Sequence, residues 1–322
     1  MKTNAVALKP EMNIQYMGWP NCIRLYNSEV EVVVATDIGL RILRFGYIGK
    51  QNIFYLSPDE KGKIGGDQWR IYGGHRLWHA PEAIPRSYSP DNAPVSYSSD
   101  SQTLKITQPE EPGTGIIKEI EISLSPDKNQ LKVVHRLINQ NLWPVKLSAW
   151  ALSVMGEGGE AVIPQEPFGE GDDFLLPVRS MALWSYTNMN DPRWIWGKRF
   201  IRARQDPRLK SEQKIGVLNK QGWVAYNLGE DMLIKFFAFD PDAEYPDFQS
   251  NQEIYINEKF LEVETLGPYQ QMEPGGRTEH VEYWFLTKGK LGETEESIVE
   301  NVLPMVSVFR ESLIKSGLRF SC

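Results

Sequence analysis

The sequence predicts an all-β protein, a sandwich or a barrel, and three observations support this prediction. Short segments that alternate apolar and polar residues recur along nearly all of the 322 residues, and turn signals separate them. More than a dozen such segments are present, too many for one small sandwich. Ten Trp, 13 Tyr and 13 Phe supply the aromatic volume of a large sheet core. Because no internal repeat or long linker interrupts the pattern, we expect one domain over residues 1–322.

The clearest strands have a period of two residues. In the segment 115–125, Ile120, Ile122 and Leu124 share one face, and polar residues share the other. The segment 147–155 is apolar enough for a strand that is buried on both faces. Further strands are expected at 29–35, 40–47, 131–139, 223–227, 232–239, 253–256, 260–266 and 279–288. The proline-dense stretch 81–94 is expected to be a surface excursion.

Only the C-terminal segment, about 293–317, has the pattern of a helix. Apolar residues recur there at spacings of three and four, at Ile298, Val302, Val306, Phe309 and Leu313. Pro304 should kink this helix or start a second one, and Gly317 should end it. We expect the helical segment to pack on the outside of the sheets.

Composition and charge argue against several classes of function. The formal charge of −7 disfavours a general role on nucleic acid or acidic membranes, because phosphate binding needs a basic face. No apolar run approaches the roughly 18 residues of a membrane span, and residues 1–17 lack the apolar core of a signal peptide. With Cys22 and Cys322 as the only cysteines, we expect neither a disulfide framework nor a thiolate metal site, and a cytoplasmic location.

The segment 73–82, Gly-Gly-His-Arg-Leu-Trp-His-Ala-Pro-Glu, concentrates groups that could carry chemistry. His75 and His79 are suited to proton transfer near neutral pH, and Arg76 can grip a hydroxyl or carboxylate with its planar fork. Trp78 and Glu82 complete the set. The two histidines have the spacing of a zinc-binding helix, but the flanking glycines and proline argue against a helix, so no metal is expected. The alternative is a polar loop that closes one end of the structure.

The segment 260–268 carries the pair Glu262 and Glu264. On a strand, both carboxylates lie on one face, about 7 Å apart, while Leu261, Val263 and Thr265 face the core. Two neighbouring carboxylates disfavour joint ionisation, so one of them could have a raised pKa and act as an acid or a base. The alternative is an ordinary solvated sheet face.

Three further segments have simpler interpretations. The segment 240–253, with Tyr-Pro-Asp at 245–247, could bind hydroxyl groups, but an ordinary turn explains it. The glycines of 156–160 lack the lysine and helix of a phosphate-binding loop. The basic segment 198–210 could suggest nucleic acid, but a solvated strand face explains it better.

Over roughly residues 20–290, the order of these segments resembles that of the galactose mutarotase-like (aldose 1-epimerase-like) superfamily. Within it, the sequence is most similar to an uncharacterised branch. The segment 35–42, Ala-Thr-Asp-Ile-Gly-Leu-Arg-Ile, is similar to the superfamily's opening Gly-Gly-Arg-Ile strand. Segment 73–82 falls where its first substrate-binding residues lie. Segment 137–141 resembles its step from a strand through an Asn to a turn, and segment 260–275 resembles the part that carries its catalytic glutamate, followed by a Pro-Gly turn.

The resemblance implies a β-supersandwich with a sugar cleft on one concave sheet and no cofactor. It implies that Glu262 is the base, with Glu264 beside it. The superfamily's acid histidine would fall in 148–153, which reads Ser-Ala-Trp-Ala-Leu-Ser, so His79 or His75 would have to replace it.

Two hypotheses therefore stay open. The first is an enzyme of the epimerase type, in which Glu262 and His79 transfer protons while His75, Arg76, Trp78, Glu82 and Glu264 bind the sugar. The second is a non-catalytic carbohydrate-binding protein. In both, the expected partner is a small carbohydrate.

Overall fold

The computed structural model of the protein describes residues 10–100, 103–167, 169 and 175–316. Two large sheets, in which neighbouring strands run antiparallel, pack against each other. The first sheet has the strand order β1 (Glu11–Tyr16), β2 (Trp19–Tyr26), β3 (Val30–Ala35), β4 (Arg41–Tyr47), β5 (His75–Ala80), β10 (Val145–Met155), β19 (Leu261–Leu266), β18 (Gln252–Ile256), β15 (Gln213–Val217) and β12 (Met181–Leu183), and β20 (Gln270–Met272) also pairs with β10.

The second sheet has the order β13 (Trp194–Trp196), β14 (Phe200–Arg204), β11 (Glu160–Pro164), β16 (Trp223–Leu228), β17 (Asp231–Phe237), β21 (Arg277–Lys288), β9 (Gln130–Asn139), β8 (Ile116–Leu124), β7 (Thr103–Thr107) and β6 (Ser96–Ser99). Apolar side chains of both sheets form one continuous core between them, as expected where each strand turns alternate residues inward. The prediction of an all-β sandwich is therefore confirmed.

The helices are few and lie outside this core. A single turn, α1 (Pro246–Gln249), precedes β18, and two helices, α2 (Glu295–Asn301) and α3 (Leu303–Lys315), follow β21. Ile298, Val302 and Val306 pack on the outer face of the second sheet. Pro304 lies in the first turn of α3, so the proline starts a second helix, whereas Gly317 lies outside the described residues. In the part of the chain that the structure describes, no helix is long and apolar enough to cross a membrane.

Segment 73–82 is not a loop but contains β5, a central strand of the first sheet that is buried along its whole length. Two glycines make this possible. Gly73 and Gly74 have φ values of +89° and +73°, and a Cβ atom at Gly74 would lie 2.4 Å from the carbonyl oxygen of Ile42. The chain therefore approaches β4 closely before it enters the sheet beside β10.

The basic and glycine-rich segments have structural roles. Arg202 and Arg204 of β14 both pair with Glu160 on the neighbouring β11, so two of the arginines of segment 198–210 form ion pairs within the sheet. Gly158 lies at positive φ in the turn between β10 and β11. Cys22 is a buried free thiol; because Cys322 lies outside the described residues, the absence of a disulfide stays a prediction.

Candidate functional site

A pocket of about 410 Å³ lies on the face of the first sheet that points away from the second sheet. Eight of its 16 lining residues are aromatic, four are glutamates and two are basic. Aromatic rings with a few convergent polar groups are typical of a binding site for a small molecule.

Strand alternation decides which side chains reach this pocket. On β5, Arg76 and Trp78 line the pocket, whereas His75 and His79 point between the sheets, because successive residues of a strand face opposite sides. On β19, Glu262 and Glu264 line the pocket, and the intervening Val263 belongs to the core. The in-register pairing of β5 and β19 with β10 brings the two polar faces together.

Glu262 and Arg76 form the ion pair on the pocket floor. Glu262 is 6% exposed, and its Oε1 lies 3.2 Å from Arg76 Nη2. The Arg76 guanidinium also lies 4.5 Å from the ring centroid of Trp78 and 5.7 Å from that of Trp69. Burial raises the pKa of Glu262 to about 7; the Arg76 charge opposes the shift and the neighbouring Glu264 adds to it. A carboxyl group with this pKa exists in both protonation states near neutral pH.

Glu264 is held more deeply. Its Oε2 accepts a hydrogen bond of 2.9 Å from Trp150 Nε1 and lies 3.2 Å from Lys214 Nζ. Lys214 also lies 2.8 Å from Glu253 on β18. Burial disfavours the ammonium charge, but Glu253 and Glu264 outweigh it and raise the pKa of Lys214. Lys214 is therefore a fixed cation between two buried carboxylates.

Two further glutamates lie at the exposed rim of the pocket, and each accepts a hydrogen bond from a tyrosine. Tyr88 donates to Glu82 over 2.5 Å, and Tyr255 donates to Glu212 over 2.8 Å. These hydrogen bonds fix both carboxylates beside the aromatic walls.

His79 lies away from this pocket, in the layer between the sheets. Its Nε2 is 2.9 Å from Glu111 Oε2, and its Nδ1 is 2.6 Å from Arg86 Nη1. Glu111 also pairs with Lys118. Burial lowers the pKa of His79. His79 is fully buried and does not contact the pocket side of β5, so the acid role expected for it has no support in this geometry.

His75 belongs to a second network between the sheets. Its Nδ1 lies 2.8 Å from Ser153 Oγ, and its Nε2 lies 2.7 Å from His135 Nε2. Lys235 Nζ donates to Ser153 over 2.7 Å and to Glu282 over 2.9 Å. All five side chains are buried, so they are connected to one another and not to the pocket.

The proton positions in this network follow from its partners. His135 Nδ1 faces the carbonyl oxygen of His280, so it carries the proton, and its Nε2 accepts. His75 must then donate from Nε2 and accept at Nδ1 from the Ser153 hydroxyl, which in turn accepts from Lys235. Burial keeps both imidazoles neutral: it lowers the pKa of His135 to about 4 and that of His75 well below its ordinary value.

His75, His135 and Glu282 are the described residues that could hold a metal ion, with donor atoms within 4.8 Å of one another. Their geometry favours the hydrogen-bonded network instead. The two imidazole nitrogens already share a proton, and Lys235 supplies the cation beside Glu282. The zinc pair considered for His75 and His79 is ruled out by the strand, which separates residues four apart by about 13 Å.

The structure thus brings together Glu262, Glu264, Arg76, Trp78 and Glu82 and separates His75 and His79 from them. Residues that sequence reasoning missed include Lys214, Glu212, Trp150 and Tyr255. No local sequence pattern indicated Lys214, because its ionic partners lie on β18 and β19, which are distant in the sequence. For Trp150 the sequence offered a signal, because this residue lies in segment 148–153, where the resemblance would place the superfamily's acid histidine.

The loop considered at 245–247 forms an unusual turn. Asp247, Phe248 and Gln249 all have positive φ, between 49° and 69°, a conformation that is strained for residues other than glycine. The turn holds Asp247 near Glu253 and Lys214, and burial raises the pKa of Asp247. It therefore supports the carboxylate cluster behind the pocket.

The fold is a two-sheet β-sandwich with a cleft on one sheet, and it is similar to the fold of galactose mutarotase-like proteins. A galactose mutarotase-like protein from Lactobacillus casei superposes with a TM-score of 0.54 at 10% identity, over 83% of this chain and 100% of that chain. One from Clostridium acetobutylicum gives 0.51 at 12% identity, over 88% and 99%. The sequence matches no protein-family model and no curated protein.

A TPR-domain-containing protein from Parabacteroides distasonis superposes with a TM-score of 0.55 at 15% identity. The match covers 84% of this chain but only 48% of that one, so the chain spans about half the length of that protein. The likeness in all three cases is one of fold.

Proposed function

We propose that this protein is an enzyme that transfers protons on a sugar bound in the aromatic pocket, with Glu262 as the acid–base group. The observation that carries the proposal is a nearly buried carboxyl group with a pKa of about 7 that faces a pocket walled by aromatic rings. The ideal pKa of a general acid or base lies near the working pH.

Each part of the pocket supports a step of such a reaction. Rings such as Trp78 and Tyr255 offer faces on which the C–H surface of a sugar can stack. Ionised Glu262 can accept the proton of the anomeric hydroxyl as the bond from C1 to the ring oxygen breaks, while water protonates the ring oxygen. Both proton transfers reverse when the ring closes. Arg76, 3.2 Å away, stabilises the carboxylate and fixes its orientation. Glu264 and Lys214 lie behind and set the local potential.

The neighbours support the choice of a sugar. Two of the three structures described above are of galactose mutarotase-like proteins. A galactose 1-epimerase from Lactobacillus acidophilus also superposes, with a TM-score of 0.50 at 13% identity, over 88% of this chain and 100% of that one. The cytoplasmic location predicted from the two cysteines is part of this proposal.

The substitution Glu262→Gln tests the proposal, because it keeps the shape of the side chain and removes the base. Polarimetry or saturation-transfer NMR measures the exchange of anomers across a panel of sugars. In Glu262→Gln this exchange should slow by about 10²–10⁴-fold while sugar binding persists. The control Glu279→Gln alters a carboxylate of β21 that pairs with Arg136 outside the pocket and should leave turnover unchanged. Equal turnover in Glu262→Gln and the wild type would overturn the proposal. Sugar binding without any turnover in the wild type would instead support the carbohydrate-binding hypothesis.

A further inference from the structure

The pocket has more negative than positive groups, and its positive groups are already paired. Arg76 pairs with Glu262 over 3.2 Å, and Lys214 pairs with Glu264 over 3.2 Å and with Glu253 over 2.8 Å. Neither cation is left to compensate a further negative group.

Glu82 and Glu212 differ from the buried carboxylates in their partners. Each accepts a hydrogen bond from a neutral tyrosine hydroxyl, and neither forms an ion pair with a lysine or arginine of the described residues. Both are exposed at the rim and available to a ligand. The uncompensated charge of the pocket is therefore negative and lies at its mouth.

The two carboxylates act on the same part of the pocket. Tyr186 lines the wall, and burial raises the pKa of its hydroxyl. Lys214 opposes this shift, whereas Glu264 and then Glu82 and Glu212 add to it. The charge of Glu82 also reaches Glu262 on the floor. The floor gives an independent sign of a ligand. Arg76, Trp78 and Glu264 are more than nine-tenths buried and line the cavity. Among the described residues, Arg76 Nε and Nη1, Trp78 Nε1 and Glu264 Oε1 have no hydrogen-bond partner.

We propose that the sugar taken by this pocket carries a free amino group, so that the substrate class is an unacylated aminosugar bound as its ammonium form. The ammonium would lie at the rim, where Glu82 and Glu212 supply the negative charge, next to the faces of aromatic rings that attract cations. A uronate or a sugar phosphate would meet uncompensated carboxylates at the rim and no free cation on the floor. This inference rests on the proposed function, because it names the substrate class of the same site.

The test compares the affinities of the whole chain for glucosamine, glucose, N-acetylglucosamine and glucuronate, by calorimetry or ligand-observed NMR at low salt. Exposed ion pairs are each worth a small free energy, so glucosamine should bind about three- to tenfold more tightly than glucose. The advantage should shrink as salt screens the charges. The double variant Glu82→Gln/Glu212→Gln should bind glucosamine and glucose equally.

The control variant Glu110→Gln/Glu230→Gln removes the same charge from two exposed carboxylates that do not line the pocket, and it should keep the preference. Equal affinity of the wild type for glucosamine and glucose would overturn the inference, and so would a preference that survives the double variant at the rim. If glucosamine and glucose bind with equal affinity and Glu262→Gln abolishes their turnover, the proposed function stands and only the aminosugar inference falls. If no sugar of the panel binds, both fall.

Discussion

The two faces of the first sheet bury ionisable side chains to a similar degree but surround them with different partners. Between the sheets, Lys235 and Glu282 pair at 2.9 Å. Lys235 also donates to Ser153, and Glu282 accepts hydrogen bonds from Thr265 and Trp284. On the outer face, Glu262 has one cationic neighbour and a cavity beside it. Burial therefore lowers the pKa of the enclosed histidines and raises that of the open carboxyl group to about 7. The enclosed groups stay in one protonation state, whereas Glu262 can change its state near neutral pH.

The largest effect is expected on stability, from breaking the enclosed ion pair. Glu282→Gln leaves the Lys235 ammonium buried without its carboxylate, which should lower the free energy of unfolding by roughly 3–5 kcal/mol. Denaturant unfolding measures the loss. The matched control Glu279→Gln lies on the same strand, but its side chain is 44% exposed, and it should cost no more than about 1 kcal/mol. If both variants lost the same free energy of unfolding, the ion pair enclosed between the sheets would contribute no more than the exposed one, which would contradict the comparison.

Glu262→Gln should change how stability depends on pH. The folded-state pKa of about 7 lies above the ordinary value of 4.5, so the folded wild type binds the proton more tightly and loses stability as pH rises between these values. The variant lacks this loss. Its free energy of unfolding relative to the wild type should therefore rise by roughly 1–3 kcal/mol from pH 5 to pH 8. A pH-independent difference would show that Glu262 titrates normally.

The enclosed histidines should produce the opposite slope. Their folded-state pKa values, about 4 for His135 and about 3 for His280, lie below the ordinary value of 6.5. The unfolded chain therefore binds their protons first, and stability should fall as pH drops from about 6.5 towards 3. Carbon-13 or proton NMR of the imidazoles should find both rings neutral in the folded protein at pH 5. Charged rings at that pH would refute the closed network.

Arg76→Met should shift the pH dependence of the pocket. The Arg76 charge lowers the pKa of Glu262, so its loss should move that pKa above 7 by about one unit or more. The acid limb of the rate profile should move with it. Arg76→Lys keeps the charge and should shift the limb less, which separates electrostatics from packing. An unshifted profile in Arg76→Met would remove the ion pair from the explanation.

The smallest effect on chemistry is expected from His79→Asn. His79 bonds Glu111 and Arg86 between the sheets, so its loss should lower stability by about 1–3 kcal/mol. Sugar affinity and turnover should change by less than about twofold, because the site lies on the other face of β5. A loss of turnover comparable with that of Glu262→Gln would return His79 to the mechanism.

The same contrast explains what the sequence could and could not predict. Alternation in 260–266 correctly separated Glu262 and Glu264 from Leu261 and Val263, because a period of two is a property of the strand itself. In segment 73–82 the glycines resemble turn signals and leave a loop as an alternative, whereas in the structure they permit a close approach to β4. Unless the segment is known to be a strand, the alternation of its side chains cannot be used to place His79 and Arg76 on opposite faces.

Other features depend on contacts that are distant in the sequence. The contacts among His75, His135 and His280 join β5, β9 and β21. No local pattern in the sequence indicates that these three histidines meet. Lys214 gains its role from Glu253 and Glu264 on neighbouring strands. Short strands such as β12, β13 and β20, with three residues each, are too brief to show a period.

The alternation on β5, β10 and β18 also allows the side chains on the two surfaces of these strands to be changed independently. A combinatorial library confined to Arg76, Trp78, Trp150, Leu152 and Tyr255 would vary the wall of the cavity while leaving every side chain between the sheets as it is. Ligand preference could then be reshaped on an unchanged scaffold. A single-residue insertion before β5 would do the reverse and exchange the two surfaces, so this stretch should tolerate substitution far better than a change of length.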